Sequence, residues 1–317
     1  MWALTIDDGA LHYRQRETPV PGPRDVLVAV SAAGVNAADL AQLKGHYPAP
    51  PGWPQDVPGM ELAGVVVAVG EALDESQVGR RVCALTGGGA QASHCVVPVE
   101  HLIEVPSGFD LVNAGGFPEI FSTAFDALVS QGEVARGERV VVSGAAGGVG
   151  VAAVQIAHAL GAHVVAVTRD DRHHEALLRL GADELTTLEG VPALEPCDVV
   201  IELLGGAHLA AVQSRLAPFA RVVVIGVGRG ARVELDLLNV MVKRVRLRGS
   251  TLRSRGREEK AHVARLVSEV VVPWWTAGRV QVPFAAVFDL ADGAAAYDFF
   301  ARPGKFGKVI CRVDPPA

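Results

Sequence analysis

The stretch VVVSGAAGGVGVAAVQ, Val140–Gln155, decides how the chain is read. A β-branched block runs straight into seven residues, Gly144 to Gly150, that are Gly or Ala except Val149, and then into a helical pattern with Val151, Val154 and Ala157 on one stripe. Small residues let a strand-to-helix turn tighten, let the backbone approach a ligand, and let the helix pack on its strand. The free N–H groups at a helix start favour negative charge. Gly147, Gly148, Val149 and Gly150 are therefore expected to hold a dinucleotide's diphosphate, the alternative being a tight turn without a ligand. In the G-x-G-x-x-G pattern the first position is Ala145, a departure. The strand before the turn and the helix after it supply the context in which the pattern carries meaning.

Working outward, residues from about Glu119 to Arg255 alternate between strand and helix. RVVVSG, HVVAVT, DVVIEL, RVVVIGV and VRLRGSTL read as strands, and VGVAAVQIAHAL, DRHHEALLRLGA and AHLAAVQSRLA as helices. Apolar strand cores such as Val140–Val142 and Val222–Ile225 suit a parallel sheet covered on both faces, so a doubly wound α/β fold is expected. Asp183 to Pro196 reads as a short loop. Ligands bind beyond the carboxyl ends of such strands, which selects Gly205 and Gly206, then Gly226, Val227 and Gly228.

The end of HVVAVT bears on the choice of nicotinamide coenzyme. An NAD site wants an acid there for the ribose hydroxyls, and an NADP(H) site wants a cation for the 2′-phosphate. The strand ends in Thr168 and Arg169, with Asp170 and Asp171 one or two residues late, where they also serve as helix caps. Arg169, with His173 or Arg172 a turn further on, favours NADP(H); a solvated surface Arg169 is the competing reading.

Up to about Val112 the chain shows short strands between Gly and Pro, namely WALTID, LHYRQRE, DVLVAVSAAG, ELAGVVVAVG, RRVCAL and SHCVVP, and reads as a largely β domain. The segment PAPPGWPQDVP, Pro48–Pro58, is an ordered loop, because Pro removes donors and restricts its predecessor. After a helix through Glu258–Val271, the helix ADGAAAYDFF and the strand KVICRV are expected to return to the first domain. The expected organisation is residues 1–118 completed by 271–317, with 119–270 inserted.

With 317 residues, half of them apolar, the chain supports two ordinary cores. A net charge of −6 argues against general attraction to nucleic acid. No apolar run is long enough to span a bilayer, and MWALTIDDGA lacks the basic and apolar regions of a signal peptide, so a cytoplasmic, membrane-free protein is expected. Cys83, Cys95, Cys197 and Cys311 form no C-x-x-C pair and read as reduced structural or surface thiols. His173 and His174 head a helix beside Glu175 without an H-E-x-x-H pattern, so no metal site is read there.

The segments GVNAADLAQLKGHYPAPPG, VPGMELAGVVVAVG, FPEIFSTAFDAL, VVVSGAAGGVG and GSTLRSR occur in the order seen in the medium-chain dehydrogenase/reductase superfamily. They resemble most its zinc-free quinone oxidoreductases, of the p53-inducible type. The resemblance implies a GroES-like β domain plus a Rossmann domain. Zinc-dependent members bind catalytic metal through one Cys, a His in a G-H-E segment, and a residue just before F-S-T; Asn36, Met60 and Glu119 stand there instead, a poor set for Zn²⁺. The structural-zinc lobe is reduced to CALTGGGAQASHC, so no metal is expected.

By the same resemblance Asn36 and Tyr47 are the catalytic candidates, on the first domain's side of the cleft. Tyr47 either donates to the acceptor oxygen or packs the Pro-rich loop; Asn36 either orients ribose or substrate or forms a turn. Thr123 lies beside the nicotinamide or caps a helix, Leu252, Arg253 and Ser254 edge the nicotinamide pocket, and Lys308 lies near the coenzyme or is solvated. The implied activity is NADPH-dependent quinone reduction without a metal. Reduction of an enone or alkenal double bond is the near alternative. A non-catalytic nucleotide- or RNA-binding protein, kept open by the basic run KRVRLRGSTLRSRGR, is the distant one. Relatives are commonly dimers, and RLRGSTL is the candidate edge for a homodimer.

Overall fold

The structure is a computed structural model in which residues 1–313 are described. Contacts divide the chain into two units: Met1–Ser122, Leu252–Thr276 and the chain from Val282 form one, and Thr123–Thr251 with Ala277–Gln281 the other.

The first unit opens with an antiparallel hairpin, β1 Trp2–Asp7 and β2 Ala10–Gln15. There follow β3 Asp25–Val35, α1 Ala37–Leu43, β4 Glu61–Val69, β5 Arg81–Leu85, β6 His94–Pro98, β7 Leu102–Glu104, α2 Leu111–Ala114 and α3 Pro118–Phe125. The six expected strands are all present, and residues 48–58 form no helix or strand.

The second unit alternates β8 Arg139–Ser143, α4 Gly148–Ala159, β9 His163–Thr168, α5 His174–Arg179, β10 Glu184–Thr187, β11 Cys197–Glu202, α6 Gly206–Val212, β12 Leu216–Val224, α7 Leu237–Lys243 and β13 Arg246–Gly249. Among the described residues the sheet order is β10-β9-β8-β11-β12-β13, with every pair parallel. The strand order thus reverses between β8 and β11, the place where a doubly wound sheet opens a crevice. Val140–Val142, Val164–Val167 and Val199–Ile201 have no exposed surface. Consecutive burial, rather than alternation, follows from having helices on both faces, and each such side chain contributes roughly 1.5–3 kcal/mol.

Returning to the first unit, the chain forms α8 Arg257–Thr276, β14 Phe284–Asp289, α9 Gly293–Ala301 and β15 Lys308–Arg312. β15 pairs antiparallel with β3 and parallel with β14, so the last described strand completes the first sheet, in the order β14-β15-β3-β4-β5-β7 with β6 also on β3.

Three local expectations change. The loop expected at 183–196 contains β10, a half-buried edge strand that pairs Thr187 with Thr168; its polar residues hide it from a hydrophobic pattern. β14 was likewise not expected. The helix expected over 258–271 runs on through Pro273 to Thr276, and all of it lies in the first unit, whereas a boundary after residue 270 was expected. The cause is pairing at both ends: Arg257 binds Asp25 at 3.0 Å and Glu100 at 2.7 Å, and Trp275 stacks on Phe117 at 4.2 Å.

Candidate active site and coenzyme turn

At the end of β8 the backbone turns through Gly144, whose φ of +63° only glycine adopts without strain. A Cβ on Gly150 would stand 2.3 Å from the Gly144 carbonyl oxygen, so this glycine lets α4 close onto the turn. Gly147 caps α4, and the first intrahelical bond runs from Val151 N to Gly147 O at 2.8 Å. The N–H groups of Gly148, Val149 and Gly150 accordingly have no acceptor among the described residues. Three free amides at the start of a 12-residue helix make a seat for an anion.

Beside this turn, β9 ends at Thr168, which is buried and hydrogen-bonded to the Asp170 carbonyl at 2.8 Å. Asp170 is taken up by Arg172, Nε to Oδ1 at 2.8 Å, and this pairing helps hold its carboxyl below the usual range against the opposing effect of burial. Arg169 is exposed and has no partner among the described residues. His173 caps α5 and is half-buried.

The network beneath the turn was not foreseen. Glu202, the last residue of β11, has no exposed surface. Its Oε1 accepts from Ser143 Oγ, Leu204 N and Gly205 N, each at 2.8 Å, and its Oε2 meets His208 Nδ1 at 2.5 Å. Burial pushes this carboxyl up, but His208 and the other donors outweigh it and leave it below the usual range. The Glu202 carbonyl also accepts from Ile225 N and Gly226 N. One residue therefore ties together the loops after β8, β11 and β12, which carry Gly205, Gly226 and the half-exposed Val227. Its signal in the sequence was an acid closing an otherwise apolar core strand. Thr123, half-buried on α3, starts this unit.

In the first unit the structure joins Asn36 and Lys308 across 272 positions of sequence. Lys308 is 2 % exposed, and its ammonium donates to Asn36 Oδ1 at 2.7 Å, Val35 O at 3.4 Å and Glu61 Oε1. Three protons meet three acceptors, so Lys308 is not the solvated lysine that was the alternative reading. Asn36 Nδ2 in turn donates to Glu61 Oε1 at 3.0 Å, and Glu61 Oε2 accepts from Glu119 N at 2.8 Å. Glu61, in the GME segment, was not singled out from sequence. Asn36 N donates to the buried Asp39 at 2.8 Å, whose other oxygen accepts from Gly59 N at 3.2 Å. Burial raises Asp39 to about 6, against the lowering effect of that Asn36 bond and of Arg253 and Lys308.

Arg253 is also internal, with 4 % exposure. It donates through Nε to Gly87 O at 2.9 Å, through one terminal nitrogen to Tyr47 O at 2.9 Å, and through the other to Gln42 Oε1. Its guanidinium lies 5.1 Å from the Tyr47 ring centre. Each of its three nitrogens thus makes one bond to the loops around the half-buried Tyr47, so the side chain acts as a clamp on them. Leu252 beside it is buried and Ser254 exposed.

The three positions that zinc-dependent relatives use for catalytic metal do not fit Zn²⁺. Asn36 is engaged on both sides of its amide, Met60 offers a thioether, and the Lys308 ammonium already supplies a positive charge against Asn36 Oδ1. Among the described residues no group of three or more His, Cys, Asp or Glu could hold a metal ion. All four cysteines are buried, and burial pushes the thiols of Cys95, Cys197 and Cys311 up to about 12 and Cys83 higher still. The basic run is dispersed by pairing: Arg246 and Arg248 meet Glu133, Arg253 is internal, and Arg257 meets Glu100. No helix among the described residues is long and apolar enough to cross a membrane.

The family described as alcohol dehydrogenase GroES-like domain matches residues 22–107, and that described as zinc-binding dehydrogenase matches residues 148–269. Human quinone oxidoreductase is 30% identical over 267 residues, covering 81% of this chain and 80% of its own. Among solved structures, an alcohol dehydrogenase superfamily protein from Novosphingobium aromaticivorans superposes with a TM-score of 0.87 at 30% identity, covering 99% of this chain and 100% of that one. A cobalt- and zinc-bound thermostable alcohol dehydrogenase from Pyrobaculum aerophilum gives 0.86 at 29% identity, with 99% of both chains covered. With a GroES-like β unit, a Rossmann sheet wound about a coenzyme-type turn, and these relatives, the chain belongs to the medium-chain dehydrogenase/reductase superfamily and is an oxidoreductase of its quinone oxidoreductase type.

Proposed function

We propose that the protein is an NADPH-dependent quinone reductase that works without a metal. The observation that carries this reading is the Lys308–Asn36–Glu61 cluster, a buried cation bonded to Asn36, which stands at one of the positions where zinc-dependent relatives keep metal ligands. Such a site cannot polarise an alcohol as a Lewis acid, which leaves acceptors that are electron-poor already. Reduced nicotinamide, when bound, supplies the hydride. The chain's own part is to hold the diphosphate on the free amides of Gly148–Gly150, to meet the 2′-phosphate with Arg169, and to present the Tyr47 phenol as a donor to the acceptor oxygen. Arg253 holds the Tyr47 backbone in place, and Asn36, fixed by Glu61 and Lys308, is the second orienting group.

A second copy of the chain is proposed to cover the far edge of the Rossmann sheet. β13 is an edge strand, and Leu237, Leu238, Met241, Val242 and Leu247 on α7 and β13 are each at least half exposed. Single apolar residues at a surface are ordinary; four on one short helix and a fifth on the edge strand that follows it suit a surface made for a partner.

Steady-state turnover of 1,2-naphthoquinone and of a short enone, each with NADPH and NADH, tests the reading. Faster naphthoquinone turnover with NADPH, in protein stripped by chelator and verified metal-free, supports it. Preference for the enone would make the protein a double-bond reductase, and stoichiometric zinc or loss of activity on chelation would end the metal-free reading.

A further inference from the structure

A cavity of about 740 Å³ is lined by residues of the first unit alone, among them Met1, Val20, Trp53, Pro54, Val57 and Lys260. That volume suits a small organic molecule. Its wall is braced, since a Cβ on Gly87 would stand 2.5 Å from the Trp53 ring and one on Gly89 3.1 Å from Pro54. Most charges around it are taken up: Arg16 holds Asp56 at 2.7 Å, Arg257 holds Asp25 at 3.0 Å, and Arg255 is engaged within the protein, while Glu17 is exposed.

Lys260 is the exception. It sits in the first turn of α8 at 4 % exposure, and its ammonium has no hydrogen-bond or ion-pair acceptor among the described residues. Its neighbour is the face of Trp53, 5.2 Å from Nζ to the ring centre. A largely buried cation whose nearest protein partner is a ring face lacks the stronger partner, an anion. Burial, aided by the charge of Arg253, lowers Lys260 to about 8.

We propose that this cavity binds a monocarboxylate with a flat apolar body, its carboxylate on Lys260 and its body against Trp53, Pro54 and Val57. One free cation matches one negative charge. A phosphate would want the arginine forks that Asp25, Asp56 and Glu100 already occupy.

The test is calorimetric titration of the full chain with 2-naphthoate, with NADPH saturating throughout. One site is expected, with binding at least ten-fold weaker in Lys260→Met. The neutral 2-naphthamide, titrated into the unaltered protein, is expected to bind at least ten-fold more weakly than the acid, which keeps the test independent of how the variant folds. Absence of naphthoate binding, equal affinity in Lys260→Met, or equal affinity for acid and amide would each overturn the proposal.

Discussion

Replacing Lys308 by Met would strip Glu61 of its cation while leaving the carboxylate with no exposed surface. Glu61 would keep the Asn36 Nδ2 bond at 3.0 Å and the Glu119 N bond at 2.8 Å, so the deficit is one charge-assisted partner. Breaking a buried ion pair from one side costs about 3–5 kcal/mol. Glu61→Gln alone is expected to be costly for the mirror reason, a buried ammonium left with Asn36 Oδ1 and Val35 O. The double variant is different. The amide introduced by Glu61→Gln can accept from Glu119 N and, once the Asn36 amide turns over, donate to Asn36 Oδ1, so no unpaired charge stays buried even though Asn36 Nδ2 gives up its carboxylate acceptor. It should recover much of the loss, with a coupling of about 2–3 kcal/mol, within the range seen for residues in one network.

All four tryptophans, Trp2, Trp53, Trp274 and Trp275, belong to the first unit, so their fluorescence reports the unit that holds this cluster. In urea the Lys308→Met midpoint is expected to fall by about 1–2 M, from the usual slopes of 1–3 kcal/mol per M, toward the upper end for a unit of this size. A midpoint for Lys308→Met that does not move, or a double variant that loses the sum of the two single losses, would refute the reasoning: the three groups would then not form a closed network.

The remaining predictions are more compact. Arg169→Ala should weaken NADPH about 10- to 150-fold, the worth of one charged hydrogen bond, and leave NADH unchanged, in calorimetric titrations of each coenzyme. Asp39, raised by burial to about 6, holds its proton more tightly folded than unfolded, so its effect on stability is least harmful below about pH 4. Stability should therefore fall as pH rises from about 4 through 6, by about 3 kcal/mol in all, and Asp39→Asn should lack that slope in urea melts at pH 5 and 7.5. None of the four cysteines should react with a thiol reagent in the native protein, and all four should react in denaturant. Leu247→Lys, which places a charge on the exposed edge strand, should halve the mass seen by light scattering, and an unchanged mass would remove the dimer reading from this edge.

What could be read from the sequence was what is local. The turn after β8 lies within a dozen residues, and its glycines are dictated by their own backbone and by Gly144 close by, so pattern alone places it. Strands of the parallel sheet announce themselves because burial on both faces makes every residue apolar. β10 escaped because an edge strand half in solvent is written in Glu and Thr. The internal pairings of Arg253 and Lys308 were not legible, because family position says where a charged residue lies and not which way its donors face. Their acceptors, Gly87, Tyr47 and Gln42 for one, Asn36 and Glu61 for the other, lie more than 160 residues away, and no periodicity connects them.

The two units solve one problem in the same way. Each must hold several irregular loops still, and loops bury too little apolar surface to fix themselves. In each, a fully buried glutamate at the end of a strand accepts from backbone N–H groups and from side chains of different segments: Glu202 gathers Ser143, Leu204, Gly205 and His208, and Glu61 gathers Asn36, Glu119 and Lys308. A carboxylate suits this work because it accepts several bonds at once and has no proton to misplace. Apolar residues of equal volume could match its stability, but they could not dictate the direction of an amide. The chemistry proposed for this protein would depend on such directions, of the free amides at α4 and of the Asn36 side chain, so in that reading the buried charges are what turns a stable fold into a positioned site.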